Sequence, residues 1–277
     1  TNIPFDVYGF TSTNPDIDYA WQKKNPAVVD LDDLSMPHIC SSTFSKSDFM
    51  DSMEHMYTRT RQNGWGDLCR YEEYGSTPLN QALMVSTHLV KKFKAKHGIE
   101  KMNFITFTDG DANRISTYSD WCNNGNMFRP DRTSAVINVD GTMVKARVGS
   151  RSMTSALLKN MKKKYGINTI GFFMADTNSD WRQRLWIMSD ELCKYIEDYK
   201  SQANKEYRTN KCVHEQNVLG YNEYYLVKGG KNLETQEDEF AVAEDASNAS
   251  IRTAFKKFAK SKKQNKVLLT KFGKAVA

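Results

Sequence analysis

Two compact apolar runs, each preceded by an amphipathic helix that ends at a glycine, constrain the fold of this chain most strongly. The runs are residues 102–107 and 167–174, and the helices before them end at Gly98 and Gly166. Neither run alternates apolar and polar residues, as a strand with one wet face would. Each is therefore expected to be a buried strand of a parallel sheet.

Further elements follow from local patterns. Asp140-Gly141 between two alternating runs is a strong signal for a two-residue β-hairpin. The remaining pattern predicts a strand at 5–10, a loop to 47, helices over 49–57, 79–93 and 153–161, one long helix over 181–199, and a last strand at 223–227. This order predicts an α/β fold with a doubly wound, mainly parallel sheet, helices on both faces and a β-hairpin insertion at 135–148.

Charge divides the C-terminal part of the chain. The whole sequence carries 39 Lys+Arg against 33 Asp+Glu, a formal net charge of +6. Residues 234–245 contain six acidic and no basic side chains, whereas residues 251–277 contain nine basic and no acidic ones. We therefore divide the chain into an α/β domain at 1–230, an acidic linker at 231–250 and a basic, helical tail at 251–277.

The sequence lacks the residues that several classes of function would need. The five cysteines form no C-x-x-C pair, which argues against a zinc site or a disulfide framework and favours a reducing cytoplasm. The sequence has no P-loop, H-E-x-x-H or G-x-S-x-G motif, and no apolar run of about 18 residues. A soluble protein that is not catalytic alone is expected, and a hydrolase with an unrecognised site stays open as a third possibility.

Two loops contain oxygen-bearing side chains in an uncommon arrangement. Residues 75–79 read Gly-Ser-Thr-Pro-Leu at the start of a helix, and residues 107–111 read Phe-Thr-Asp-Gly-Asp at the end of a strand. Thr77 could simply cap the helix, with Pro78 at its first position, and Asp109-Gly110 could be an ordinary turn.

The two loops resemble the last two parts of the metal-ion-dependent adhesion site of von Willebrand factor A domains. The resemblance implies Mg²⁺ as the cofactor, with Thr77 presenting a hydroxyl to the metal and Asp109 an outer-sphere carboxylate. Mg²⁺ prefers such oxygen ligands. In that family a carboxylate of the partner protein fills the open coordination position, so the metal links two proteins and does not catalyse a reaction.

The D-x-S-x-S motif of that family is absent from this sequence. Residues 150–153 resemble only its tail, with Val148 where the aspartate would stand, and Ser150 or Ser152 is interpreted as a helix cap. Either the metal site was lost or the strand that carries the motif precedes Thr1, and we expect the second because the sequence does not begin with Met.

The V-x-G-F-T pattern at residues 7–11 is similar to the second strand of the cobaltochelatase T-subunit branch of that family, some members of which are phage-encoded. The resemblance implies a non-catalytic subunit that works with a ring-forming AAA+ ATPase, in the host cytoplasm if the protein is viral. The alternative is a nucleic-acid-binding accessory protein that uses the tail at 251–277.

Two further features are expected at the surface. The hairpin could contact a partner or be a plain surface insertion. The run Lys162-Lys163-Lys164 is interpreted as a solvated helix end.

Overall fold

The computed structural model of the 277-residue chain describes residues 3–12, 29–31, 34–61, 76–113, 115–117, 135–146, 150–229 and 273. The expected acidic linker at 231–250 and, apart from Gly273, the expected tail at 251–277 lie outside the described residues. No helix of the described part is long and apolar enough to cross a membrane.

The described elements are numbered in chain order. The strands are β1 (Asp6–Tyr8), β2 (Thr11–Ser12), β3 (Val29–Asp30), β4 (Leu34–Ser35), β5 (His38–Ser41), β6 (Asn103–Thr108), β7 (Ser116–Thr117), β8 (Ala135–Val139), β9 (Thr142–Ala146), β10 (Asn168–Ala175), β11 (Cys212–Gln216) and β12 (Glu223–Lys228). The helices are α1 (Lys46–Arg61), α2 (Leu79–His97), α3 (Ser150–Tyr165), α4 (Asn178–Glu191) and α5 (Ile196–Asn210). The chain forms two compact units: one consists of Thr1–Met102 and Gly110–Ile167, the other of Asn103–Asp109 and Asn168–Ala277.

The second unit contains a four-stranded sheet in the order β11-β12-β10-β6. Strands β6, β10 and β12 are mutually parallel, and β11 joins β12 in the antiparallel direction. The two compact apolar runs and the predicted last strand are thus adjacent parallel strands, which confirms a mixed α/β fold with a mostly parallel central sheet. The sequence did not predict the edge strand β11. Its residues at 214–216 are all polar, so apolar and polar residues do not alternate along it.

A row of stacked rings crosses this sheet on one face. Phe107 stacks on Phe172, Phe172 on Tyr225, and Tyr225 on His214, with ring centroids 4.6–4.8 Å apart. The row follows from the strand register, which pairs Phe172 with both Phe107 and Tyr225. Stacked pairs of this kind contribute about 0.5–1.5 kcal/mol each beyond the burial of their surface. The stacked rings therefore connect all four strands of the sheet through side-chain contacts.

Helices α4 and α5 replace the single long helix expected over 181–199, so that prediction was wrong. The α4 helix ends at Glu191, and Cys193 takes a left-handed conformation with φ of 53° before α5 begins. The carbonyl of Ser189 accepts the N–H of Lys194 at 2.8 Å and thereby closes the end of α4. Apolar residues continue on both sides of the break because both helices have a buried side, so periodicity alone could not locate the break.

In the first unit, α2 and α3 pack against each other, and the hairpin of β8 and β9 packs on α3. Gly98 and Gly166 end the two helices with φ of 60° and 61°, as the sequence predicts. The hairpin turn is also confirmed, because Asp140 and Gly141 have φ of 48° and 79°, the type I′ combination.

The N-terminal part of the first unit differs from the expected long loop. Strand β1 pairs antiparallel with β5, and two further short pairs join β2 to β4 and β3 to β7. Cys40 in β5 is buried. These strands are two to four residues long, too short to produce a readable alternation in the sequence.

Candidate functional site

The loop that carries Thr77 leads directly into α2. Pro78 occupies the N-cap position of the helix, and Thr77 lies one residue before it. The carbonyl of Thr77 accepts the N–H of Leu79 at 2.8 Å, and the carbonyl of Pro78 accepts the N–H of Ala82 at 2.9 Å. Pro78 is buried and Thr77 is half-buried. Thr77 therefore lies before the N-cap residue, and its hydroxyl does not cap the helix as the alternative interpretation predicts.

Thr77 lies against the loop that begins at Gly110. A Cβ added to Gly110 would collide with the hydroxyl oxygen of Thr77. The N–H of Asn113 donates to the carbonyl of Thr77 at 2.8 Å. The first unit therefore holds the Thr77 loop next to the segment from Gly110 to Asn113.

Side-chain amides and hydroxyls connect these two loops to each other and to α3. The side-chain amide of Asn113 donates to the hydroxyl of Ser76 at 2.7 Å, and that of Asn80 donates to the carbonyl of Asn113 at 3.1 Å. The hydroxyl of Thr154, on α3, donates to Oδ1 of Asn80 at 2.7 Å. Asn80 is fully buried.

Asn80, Asn113 and Thr154 were not predicted from the sequence. The one available signal was a polar Asn80 in the first turn of a helix, on the side expected to be apolar. The distant partners of Asn80 could not be read from the chain.

The side chains around the loop supply oxygen atoms. They are the hydroxyls of Ser76 and Thr77 and the carboxylate of Asp111, which faces the Nε of Arg151 at 3.8 Å. The hydroxyl of Ser12 contacts that of Ser76 at 3.4 Å. Hydroxyls with few carboxylates suit a hard cation that keeps several of its waters. The donor set of the first unit therefore fits Mg²⁺ chemically.

Asp109 and Asp176 follow neighbouring parallel strands of the second unit. Asp109 comes directly after β6 and Asp176 directly after β10, and both side chains are exposed. Because β6 and β10 are parallel, both residues lie at the carboxyl ends of the strands, where ligands bind in folds of this type. Gly229, after β12, has no room for a Cβ because the carboxylate of Asp176 occupies that space.

Asp176 was missed in the sequence, although it follows a buried strand in the same way as Asp109. Among the described residues, no group of three or more His, Cys, Asp or Glu side chains is placed to hold a metal ion.

The other serines that resembled part of the metal motif lie at the start of α3. The helix begins at Ser150, so Ser152 belongs to its first turn, and Val148 lies outside the described residues.

The hairpin is anchored at its turn. The Nζ of Lys164 and the hydroxyl of Tyr165 donate to Oδ2 of Asp140 at 2.8 Å and 2.6 Å. The hydrogen bond from Lys164, followed by that from Tyr165, lowers the pKa of the Asp140 carboxyl to about 2. Val136 and Met143 on the outer face of the hairpin remain exposed.

Comparisons with protein-family models, with curated proteins and with solved structures gave no match to this chain.

Proposed function

We propose that this chain is a protein-interaction subunit of the von Willebrand factor A type, resembling the cobaltochelatase T-subunit branch. In this proposal Thr77 and Asp109 contribute to a Mg²⁺ site, and the metal captures an acidic side chain of a partner, an AAA+ ATPase of the chelatase or remodelling type. The chain is then a non-catalytic subunit of a cytoplasmic complex. The mostly parallel sheet supports the proposal at the level of fold class.

The observation that carries the proposal is the contact between Thr77 and Gly110. Gly110 has no side chain, and the hydroxyl of Thr77 occupies the space that a Cβ would take. The contact lies within the first unit and joins the Thr77 loop to Gly110, which is 33 residues later in the chain. The oxygen donors of Ser76, Thr77 and Asp111 add chemistry that suits a hard cation.

Thermal unfolding of the full chain in Mg²⁺ and in EDTA tests the metal proposal. Metal that binds only the native state stabilises it by about 2.7 kcal/mol at 100 times its dissociation constant. Thr77→Ala and Asp109→Asn should each remove this difference. Thr209→Ala, an exposed threonine of α5, is the matched control and should keep it. Equal melting temperatures in Mg²⁺ and EDTA for the unaltered chain would contradict the proposal.

A pull-down with a purified AAA+ ATPase tests the partner. Binding should require Mg²⁺ and should be lost when the acidic residue of the ATPase that faces the metal is replaced by its amide. Binding that is equally strong in EDTA would show an interface without a bridging metal.

The second candidate function is nucleic-acid binding through residues 251–277. Nine basic and no acidic side chains in that segment favour it. Deleting 251–277 should then abolish a binding that weakens steeply with added salt, because the association releases phosphate counterions. Retention of the full binding without the segment would exclude the segment as the binding site.

A further inference from the structure

The C-terminal ends of α2 and α3 lie side by side in the first unit. Near their beginnings, Thr154 donates to Asn80 at 2.7 Å, and near their ends the Nζ of Lys94 donates to the carbonyl of Tyr165 at 2.7 Å. The members of the first pair are 74 residues apart in the chain and those of the second pair 71 residues apart. Because one pair joins the two helix beginnings and the other joins the two helix ends, the helices run in the same direction. Both helix ends therefore reach the same side of the unit.

Both ends are rich in lysine. We call the following eight residues the lysine patch: Lys91, Lys92, Lys94 and Lys96 on α2, and Lys159, Lys162, Lys163 and Lys164 on α3. The sequence suggested only a solvated helix end at 162–164. The tertiary structure places a second lysine-rich helix end next to it.

A carboxylate of the hairpin turn lies next to the lysine patch. Asp140 faces both Lys164, at 2.8 Å, and His88, at 4.0 Å, and the charge of Lys91 also lowers the pKa of its carboxyl. Burial, and then the nearby charge of Lys159, lowers the pKa of Lys162. Like charges are thus crowded along α3, and the Asp140 carboxylate interacts with Lys164, His88 and Lys91.

The helix dipole does not account for this number of lysines. A cation near a helix C-terminus contributes about 0.3–1 kcal/mol, and the effect is confined to the last turn. Lys91 and Lys92 lie more than one turn before His97, and Lys159 lies more than one turn before Tyr165. Lys92, Lys159 and Lys163 are exposed. Binding of a polyanion explains their positions better.

We propose that the lysine patch binds the phosphate backbone of a nucleic acid. Each half of the patch extends about 7.5 Å along its helix at 1.5 Å per residue, and packed helices lie about 8–10 Å apart. Double-stranded DNA carries one charge per about 1.7 Å of its axis, so several phosphates face an area of this size. Lysine ammonium groups act as point charges and do not read bases, so the binding is independent of sequence.

Two other anionic partners fit the surface less well. The central parts of protein interfaces are depleted in lysine, which disfavours an acidic protein. An interfacial membrane site needs large apolar side chains beside the basic ones, and Phe93 of this region instead packs against His97 with ring centroids 4.6 Å apart. The proposal stands independently of the metal site.

Binding of the full chain to a fluorescent 25-base-pair duplex, measured between 50 and 200 mM KCl, tests the lysine patch. The triple variant K92Q/K159Q/K163Q removes exposed lysines that form none of the contacts described above. The slope of log K against log salt should become shallower by about 3, since each lost phosphate contact changes it by about 0.9. The control K46Q/K205Q/R208Q removes three exposed charges elsewhere and should leave the slope unchanged.

Each contrary outcome overturns the proposal. An unchanged slope in K92Q/K159Q/K163Q, with binding lost on deletion of 251–277, would assign binding to the tail alone. Absence of duplex binding, combined with patch-dependent binding to polyglutamate or to vesicles with 30% anionic lipid, would assign the lysine patch to another partner. Melting temperatures equal to that of the unaltered chain establish that both triple variants are folded.

Discussion

The hydroxyl of Thr154 donates a 2.7 Å hydrogen bond to Oδ1 of Asn80, and both side chains are buried. Through Asn80 this bond connects α3 to the start of α2, and the amide of Asn80 continues the connection to the carbonyl of Asn113. Asn80 is therefore the residue that orders the loops around Thr77.

Replacing Asn80 by Ala should lower the free energy of unfolding by about 2–4 kcal/mol, because each buried group left without its hydrogen bond costs about 1–3 kcal/mol. Urea unfolding measures the loss. Thr154→Val, which removes the donor to Oδ1 and keeps Asn80 itself, should cost less than Asn80→Ala. Equal stability of Asn80→Ala and the unaltered chain would show that the network has no energetic role.

Gly110→Ala tests the contact with Thr77. The new methyl group would displace the Thr77 hydroxyl, while Gly110 itself does not have a positive φ. We expect the Mg²⁺-dependent rise in melting temperature to disappear, as in Thr77→Ala. A double variant Gly110→Ala with Thr77→Ala should unfold at a higher temperature than Gly110→Ala alone, because the collision is relieved. Full metal stabilisation in Gly110→Ala would argue against Thr77 as a ligand.

Gly171→Ala tests the packing of the central strand in the second unit. A Cβ at Gly171 would lie 2.7 Å from Cδ2 of Tyr224 and 3.0 Å from the ring of Tyr221. Overpacking of this kind typically costs about 1–3 kcal/mol. In a Tyr221→Leu background the extra cost of Gly171→Ala should shrink, since the smaller side chain leaves space. Urea unfolding of the four proteins measures this coupling, and strictly additive losses would contradict it.

Asp140 predicts a pH dependence of stability. Its pKa is lowered from 3.8 to about 2 in the folded chain, so the carboxylate stabilises the fold above pH 3.8 and loses this effect as the pH falls towards 2. Asp140→Asn should therefore be less stable than the unaltered chain at pH 6, with the difference shrinking between pH 4 and pH 2. Asparagine suits the positive φ of this turn, so the hairpin is retained. A difference that is constant with pH would disprove the ionic contribution.

Local signals were sufficient where a residue's own chemistry decides the structure. The glycines at 98 and 166 end their helices because they reach positive φ without strain, and Asp140-Gly141 forms a type I′ turn for the same reason. The apolar runs predicted buried strands of a parallel sheet because such a strand requires apolar residues on both faces. Short strands such as β5 and β11 left no such pattern.

The sequence by itself determined the mixed α/β class, the ends of α2 and α3 at Gly98 and Gly166, the hairpin turn, and the residue types of the loops that contain Thr77 and Asp109. Only the tertiary structure decided that Thr77 lies against Gly110, that Asn80 joins α2 to α3, and that two lysine-rich helix ends lie together. The first set depends on residues close in the chain, whose conformational preferences act locally. The second depends on side chains 33 to 74 residues apart, which meet only after the helices have packed.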